Sequence, residues 1–92
     1  MSDPLTACRF LIRGLVQGVG FRHFTYDAAN KLGIRGYARN LADGSVEVYA
    51  VGTDGQLSEL AGILRTGPRY SDVRSVERQE ASVERYSDFD IR

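Results

Sequence analysis

From Thr6 to Arg13 the chain alternates: Cys8, Phe10 and Ile12 point one way, and Arg9, Leu11 and Arg13 the other. A period of two with aromatic and branched residues predicts a strand with one wetter face. Past a glycine-rich stretch the period changes. Phe21, Phe24, Ala28 and Leu32 recur at helical spacing, Lys31 suits the last turn, and Gly33 is placed to stop the helix. Ile34 to Leu41 has strand character. Ala42-Asp43-Gly44 reads as a hairpin turn, and Ser45 to Val51 alternates again, with Val46, Val48 and Ala50 opposite Glu47, Tyr49 and Val51. Thr53 or Asp54 can cap a second helix whose stripe is Leu57, Leu60, Ala61 and Leu64, ended by Gly67-Pro68. Val73 to about Gln79 predicts a fourth strand with poor alternation, and Phe89 and Ile91 a short fifth.

The order β-α-β-β-α-β is the split βαβ, ferredoxin-like plan of the α+β class, an antiparallel sheet with two helices on one face. Residues 1–92 are expected to form a single domain. In this plan the first and second strands run the same way on either side of the third. The loop after the first strand and Asn40 at the end of the second therefore arrive at the same end of the sheet.

Charge adds a constraint. Lys and Arg total 12 and so do Asp and Glu, for a net charge of zero. Nothing resembles the basic footprint of a nucleic-acid binder, and any anion site must be local. An RNA-reading sheet would also show aromatics on its central strands, whereas the first strand offers Arg9, Leu11 and Arg13. The single cysteine, Cys8, and single histidine, His23, leave no internal disulfide and no cysteine metal cluster, so neither metal nor cofactor is expected. Met1-Ser2-Asp3-Pro4 has no apolar leader, and no run approaches the ~20 apolar residues of a membrane span. A cytoplasmic monomer without nucleic-acid or membrane partners is the expectation.

The candidate chemistry lies in Gly14-Leu15-Val16-Gln17-Gly18-Val19-Gly20-Phe21-Arg22. Glycines at 14, 18 and 20 let successive N–H groups turn toward one point, and an arginine stands where the helix begins. That geometry suits an anion, with phosphate the first candidate. The stretch lacks the lysine of a P-loop after Gly20 and the third glycine of a dinucleotide fingerprint at His23. On spacing alone it equally describes a tight strand-to-helix turn.

Two long segments go further. Gly14 to Arg22 resembles the first signature of the acylphosphatases, and Gly36-Tyr-Ala-Arg-Asn40-Leu-Ala-Asp-Gly44-Ser-Val46-Glu-Val-Tyr-Ala-Val-Gly52 resembles the second, with Gly67-Pro68 also similar. The resemblance covers nearly the whole chain. It implies hydrolysis of a small-molecule acyl phosphate, a phosphoryl-binding role for Arg22 and a water-holding role for Asn40. Leu41 stands where some members carry threonine, and His23 where the family accepts many residues.

Residue chemistry agrees independently. Phosphoryl transfer passes through a loose transition state with charge on three equatorial oxygens. The N–H groups of Gln17, Gly18, Val19, Gly20 and Phe21 are the expected substrate-binding donors, and Arg22 adds a planar fork. An amide such as Asn40 cannot act as a base near neutral pH and can only orient water. With no strong acid in the motif, the leaving group must depart unaided. A carboxylate, whose conjugate acid has a pKa of about 4, can do so. An alkoxide near the ~16 of water cannot. Mixed carboxyl-phosphate anhydrides are therefore favoured over phosphate esters.

Each singled-out residue has a plainer reading beside the functional one. Arg22 could be a surface arginine, although a cation at a helix N-terminus costs ~0.3–1 kcal/mol. Asn40 could merely end a strand, Cys8 reads as core, and His23 as an exposed first-turn residue. The mixed-sign run Arg74 to Arg85 reads as a solvated strand region, and Asp88 and Asp90 as residues facing water. Two competing functions remain: a non-catalytic ferredoxin-like anion-binding module, and a relative that hands on a carbamoyl group, as a similar domain does in long hydrogenase-maturation carbamoyltransferases.

Overall fold

The structure, a computed structural model, describes residues 4–92, so the polar opening Met1–Asp3 lies outside the described residues. Seven elements follow one another: β1 (Thr6–Leu15), α1 (Phe21–Leu32), β2 (Arg35–Asn40), β3 (Val46–Gly52), α2 (Asp54–Thr66), β4 (Asp72–Ala81) and β5 (Phe89–Ile91). They form a five-stranded sheet in the order β4-β1-β3-β2-β5. β1 and β2 are both antiparallel to β3, and so run parallel to each other on either side of it. The ferredoxin-like α+β plan is present with one amendment: β5 pairs parallel with β2, so the full sheet is mixed.

Alternation accounts for the two faces. Phe10, Ile12, Val46, Val48, Ala38, Leu57, Leu60 and Leu64 are fully buried in one core between the sheet and both helices. Cys8 belongs to the same core, where burial raises its thiol pKa and keeps it inert. On α1 the buried face is Phe21, Thr25, Ala28 and Ala29, turned slightly from the expected stripe, with Phe24 half-buried at its edge. Thr25 is tolerated at 0% exposure because its hydroxyl donates to the Phe21 carbonyl, 2.9 Å away.

The opposite sheet face is covered too. Tyr37, Tyr49 and Val51 make a second cluster, capped by Tyr86 from the segment 82–88. The Tyr49 hydroxyl donates to the Ser82 carbonyl and accepts from the Glu84 amide. Glu47 on this face is buried and accepts from Arg39 (2.6 Å) and pairs with Arg9 (3.2 Å).

Two departures from strict alternation have local causes. β1 runs two residues beyond Arg13 because it stays paired with β4 as far as Leu15. A register shift at Arg13/Gly14 pairs Ser75 with Arg13 but Val73 with Gly14, leaving Arg74 as the extra residue. The bulge turns Val73 and Val76, three apart in sequence, toward the same core. This is why the β4 pattern looked irregular.

The two helix starts differ. At α2, Thr53 accepts from the Gln56 amide (3.2 Å) and its own amide donates to the Gln56 side chain (2.8 Å), a complete capping box. Gln56 also donates to the Leu32 carbonyl (2.7 Å), tying the start of α2 to the end of α1. Thr53→Ala is expected to lower stability by about 1 kcal/mol, or about 4–8 °C in thermal midpoint, with Thr53→Ser near the parent. A thermal melt decides it.

Candidate active site

α1 begins without any of this. Its N-cap is Gly20 at φ +80°, no side chain caps it, and its first turn carries no acidic residue. The first helical main-chain bond runs from the Phe24 amide to the Gly20 carbonyl (3.0 Å), so the earlier N–H groups of the turn face outward. Gly18 at φ +74° and Gly20 hold the left-handed conformation that turns the preceding loop, and a Cβ at either would meet only open space. The turn therefore leaves open room beside the start of α1.

That room is a pocket of about 270 Å³ lined by Val16, Gly18, Gly20, Phe21, Arg22, His23, Asn40 and Ile91. It gathers what the topology anticipated: the loop after β1, the first turn of α1, and Asn40 at the end of β2. Val16 and Phe21 anchor the loop in the core at 1% and 2% exposure, while Asn40 is exposed to the pocket. Larger cavities lie elsewhere on the surface, one of them between α2 and the 83–87 segment. Neither the Gly-rich loop nor Asn40 lines that one.

Arg22 is the only arginine or lysine of the lining. Its Nη1 donates to the main-chain oxygen of Arg92 (2.9 Å), which aligns the guanidinium along the pocket edge. Arg92 is itself set by its amide, which donates to the Ala38 carbonyl (2.8 Å), and by its guanidinium, 4.2 Å above the Tyr37 ring centroid. The lining holds no Asp, Glu or Lys. His23 stands at the rim and faces Asp27 at 3.9 Å. Among the described residues, no three His, Cys, Asp or Glu side chains converge as a metal site.

Of the residues singled out by sequence, Gly18, Gly20, Phe21, Arg22 and Asn40 line one pocket, whereas Gln17 and Val19 do not. Val19 packs partly buried against the core. The Gln17 side chain turns away to the hairpin after Asn40. Ile91 was anticipated only as a strand residue, yet it forms a wall of the pocket. Its helix-side register opposite Ala38 puts it there, and no single-sequence signal marks a pairing made 53 positions apart.

The hairpin turn beside Asn40 is well held. The Ser45 amide and hydroxyl both donate to the Asp43 carboxylate, which holds that carboxyl below its ordinary range. The Leu41 amide donates to the Ser45 carbonyl (2.8 Å), closing the turn.

Comparison with known proteins agrees with this geometry. The acylphosphatase family model matches residues 8–91. An acylphosphatase of Solibacter usitatus is 60% identical over 90 residues, covering 98% of this chain and 94% of that one. One of Pasteurella multocida is 49% identical over 85 residues, covering 91% and 94%. Among solved structures, an acylphosphatase from Coxiella burnetii superposes with a TM-score of 0.92 at 36% identity, covering 96% of this chain and 93% of that one. With the loop, the arginine and the asparagine brought to one pocket on this fold, the chain belongs to the acylphosphatase family.

Proposed function

We propose that the chain hydrolyses the carboxyl–phosphate anhydride of acyl phosphates to carboxylate and inorganic phosphate, and that the pocket between α1 and β2 is where it does so. The observation that carries this is the uncapped start of α1, with Arg22 in its first turn and Asn40 across the pocket. The N–H groups of the loop at Gly18, Gly20 and Phe21 and the positive end of the helix hold the equatorial phosphoryl oxygens, and Arg22 adds a two-pronged donor. Asn40 orients a water for in-line attack. The water oxygen bonds to phosphorus as the bond from phosphorus to the carboxylate oxygen breaks. The leaving carboxylate takes the electron pair, and the proton of the water passes to phosphate and solvent. No covalent intermediate, metal or cofactor enters this scheme, and the chain acts as a cytoplasmic monomer.

Electrostatics explains why a pocket of one arginine, one amide and backbone suffices. Donors fixed before the reaction stabilise charge without reorganising, and each is worth about 10²–10³ in rate. They do nothing for a poor leaving group, so the substrate must bring a good one.

The test is hydrolysis of benzoyl phosphate and p-nitrophenyl phosphate with EDTA present, by the parent and Asn40→Ala. Turnover of benzoyl phosphate is expected to survive EDTA, to exceed that of the ester, and to fall about 10²–10³-fold in Asn40→Ala. A preference for the ester, or loss of activity to EDTA, would overturn the mechanism. Phosphate binding without turnover would favour an anion-binding module.

A further inference from the structure

The Gln17 side chain occupies a position that the phosphate loop alone does not explain. Its Nε2 donates to the main-chain oxygens of Leu41 (2.8 Å) and Ser45 (2.9 Å). Both partners are carbonyls, so the orientation of the amide is fixed: its nitrogen must be the one facing them. Both amide hydrogens are thereby used, and none remains for a substrate. Leu41 follows Asn40 directly, and Leu41 and Ser45 are the two ends of the turn, already joined by the Leu41 amide to Ser45 carbonyl bond (2.8 Å). Across 24 and 28 positions of sequence, one side chain thus clips the phosphate loop to the main chain beside the asparagine.

Asn40 needs such a clip. It is the last residue of β2, exposed, and its side chain makes no hydrogen bond among the described residues, so its own contacts do not fix it. Pairing with Val46 holds its backbone on one side. On the loop side, the Gln17 amide is the side-chain link that reaches the hairpin. An error of about 1 Å between reacting groups costs up to about 10²-fold in rate.

We propose that Gln17 is a positioning residue for Asn40: through Leu41 and Ser45 it sets the distance between the water held by the amide and the phosphoryl group held by the loop. This rests on the reading that Asn40 holds the attacking water. The role is separate from phosphate binding, which main-chain groups and Arg22 perform. It therefore acts on kcat and leaves affinity for phosphate alone.

The experiment is a double-mutant cycle on benzoyl phosphate hydrolysis, with inorganic phosphate as competitive inhibitor. The proteins are the parent, Gln17→Leu, Asn40→Ala and the pair. Gln17→Leu is expected to lower kcat by about 10- to 10²-fold while the inhibition constant for phosphate stays within about 3-fold. In the Asn40→Ala background the same change should cost less than about 2-fold, because the group it positions is gone. Multiplicative losses, or a rise in the inhibition constant that matches the fall in kcat, would overturn the proposal and make Gln17 part of the loop architecture. If Asn40→Ala alone keeps parental turnover, the water-holding role fails first and the proposal falls with it. Should Gln17→Leu not fold, Gln17→Met keeps the length, removes both donors and adds no charge beside the phosphate loop. It must then show the same split between kcat and inhibition, and parental kcat there would also overturn the proposal.

Discussion

Arg22→Lys is expected to lose at least about 10²-fold in kcat/KM for acyl phosphates, and Arg22→Ala about 10³–10⁵-fold, with stability within about 1 kcal/mol of the parent in both. The two halves of the prediction come from one fact. Arg22 sits in the first turn of a helix that has no capping side chain and no acidic residue there. A cation in that place opposes the helix dipole, and its one hydrogen bond, to the Arg92 main chain, is on the surface. Removing it therefore costs the fold almost nothing. For the reaction the balance reverses. Lysine keeps the charge and gives up the planar fork that matches two phosphoryl oxygens at once, so the point charge remains and the orientation is lost. Steady-state kinetics beside thermal melts check the prediction. Near-parental turnover in Arg22→Lys would contradict the role assigned to the fork. A collapse in melting temperature would make Arg22 structural instead.

The resemblance to the two acylphosphatase signatures points to Arg22 and Asn40, and topology explains why they share one pocket. Parallel β1 and β2 bring their C-terminal ends to one end of the sheet, and an amide can orient water but not take its proton. Gln17 was legible only as a donor of its N–H. Its side chain finds partners 24 and 28 positions away, and those are carbonyls of the backbone, which carry no trace in residue identity. Hydrogen bonds from a side chain to distant main chain are thus the part of a site that sequence conceals best.

The fold shows the same division. Strands with clean alternation, β1 and β3, were read with their faces correct, and α2 was read from its stripe and cap. The β4 pattern is irregular because a bulge at Arg74 breaks its period, and a bulge is a property of the pairing with β1. The cover over the second face was missed. Tyr86 directly follows the charge-rich run Arg74 to Arg85, but it meets Tyr37 and Tyr49 at ring-centroid distances of 5.9 and 5.5 Å. A single aromatic in a polar segment gives no period to detect, so only the tertiary structure shows it packed.

Gly36→Ala is expected to be the most damaging single-methyl change in the fold, lowering stability by about 3–5 kcal/mol and the thermal midpoint by about 15 °C or more. Gly36 is buried near the start of β2, at φ +140°, between Ala50 of β3 and Phe89 of β5. A Cβ there would run into the carbonyl of Tyr49 and lie 3.2 Å from the Ala50 Cα. Those atoms are backbone of a fully buried central strand, so the obstacle cannot swing aside as a flexible side chain would. The unfavourable φ for an L-residue adds about 1–3 kcal/mol of its own. The Gly36 amide also donates to the Asp88 carbonyl (3.1 Å), so displacing β2 would loosen β5 and with it Ile91 and Arg92 at the pocket. Gly55→Ala is the control. Gly55 lies in α2 with open space around its missing Cβ, and the same methyl should stabilise there by about 0.5–1 kcal/mol. Opposite shifts for two identical substitutions separate close backbone approach from any general effect of losing a glycine. A Gly36→Ala protein melting within a few degrees of the parent would show that β2 and β3 can move apart.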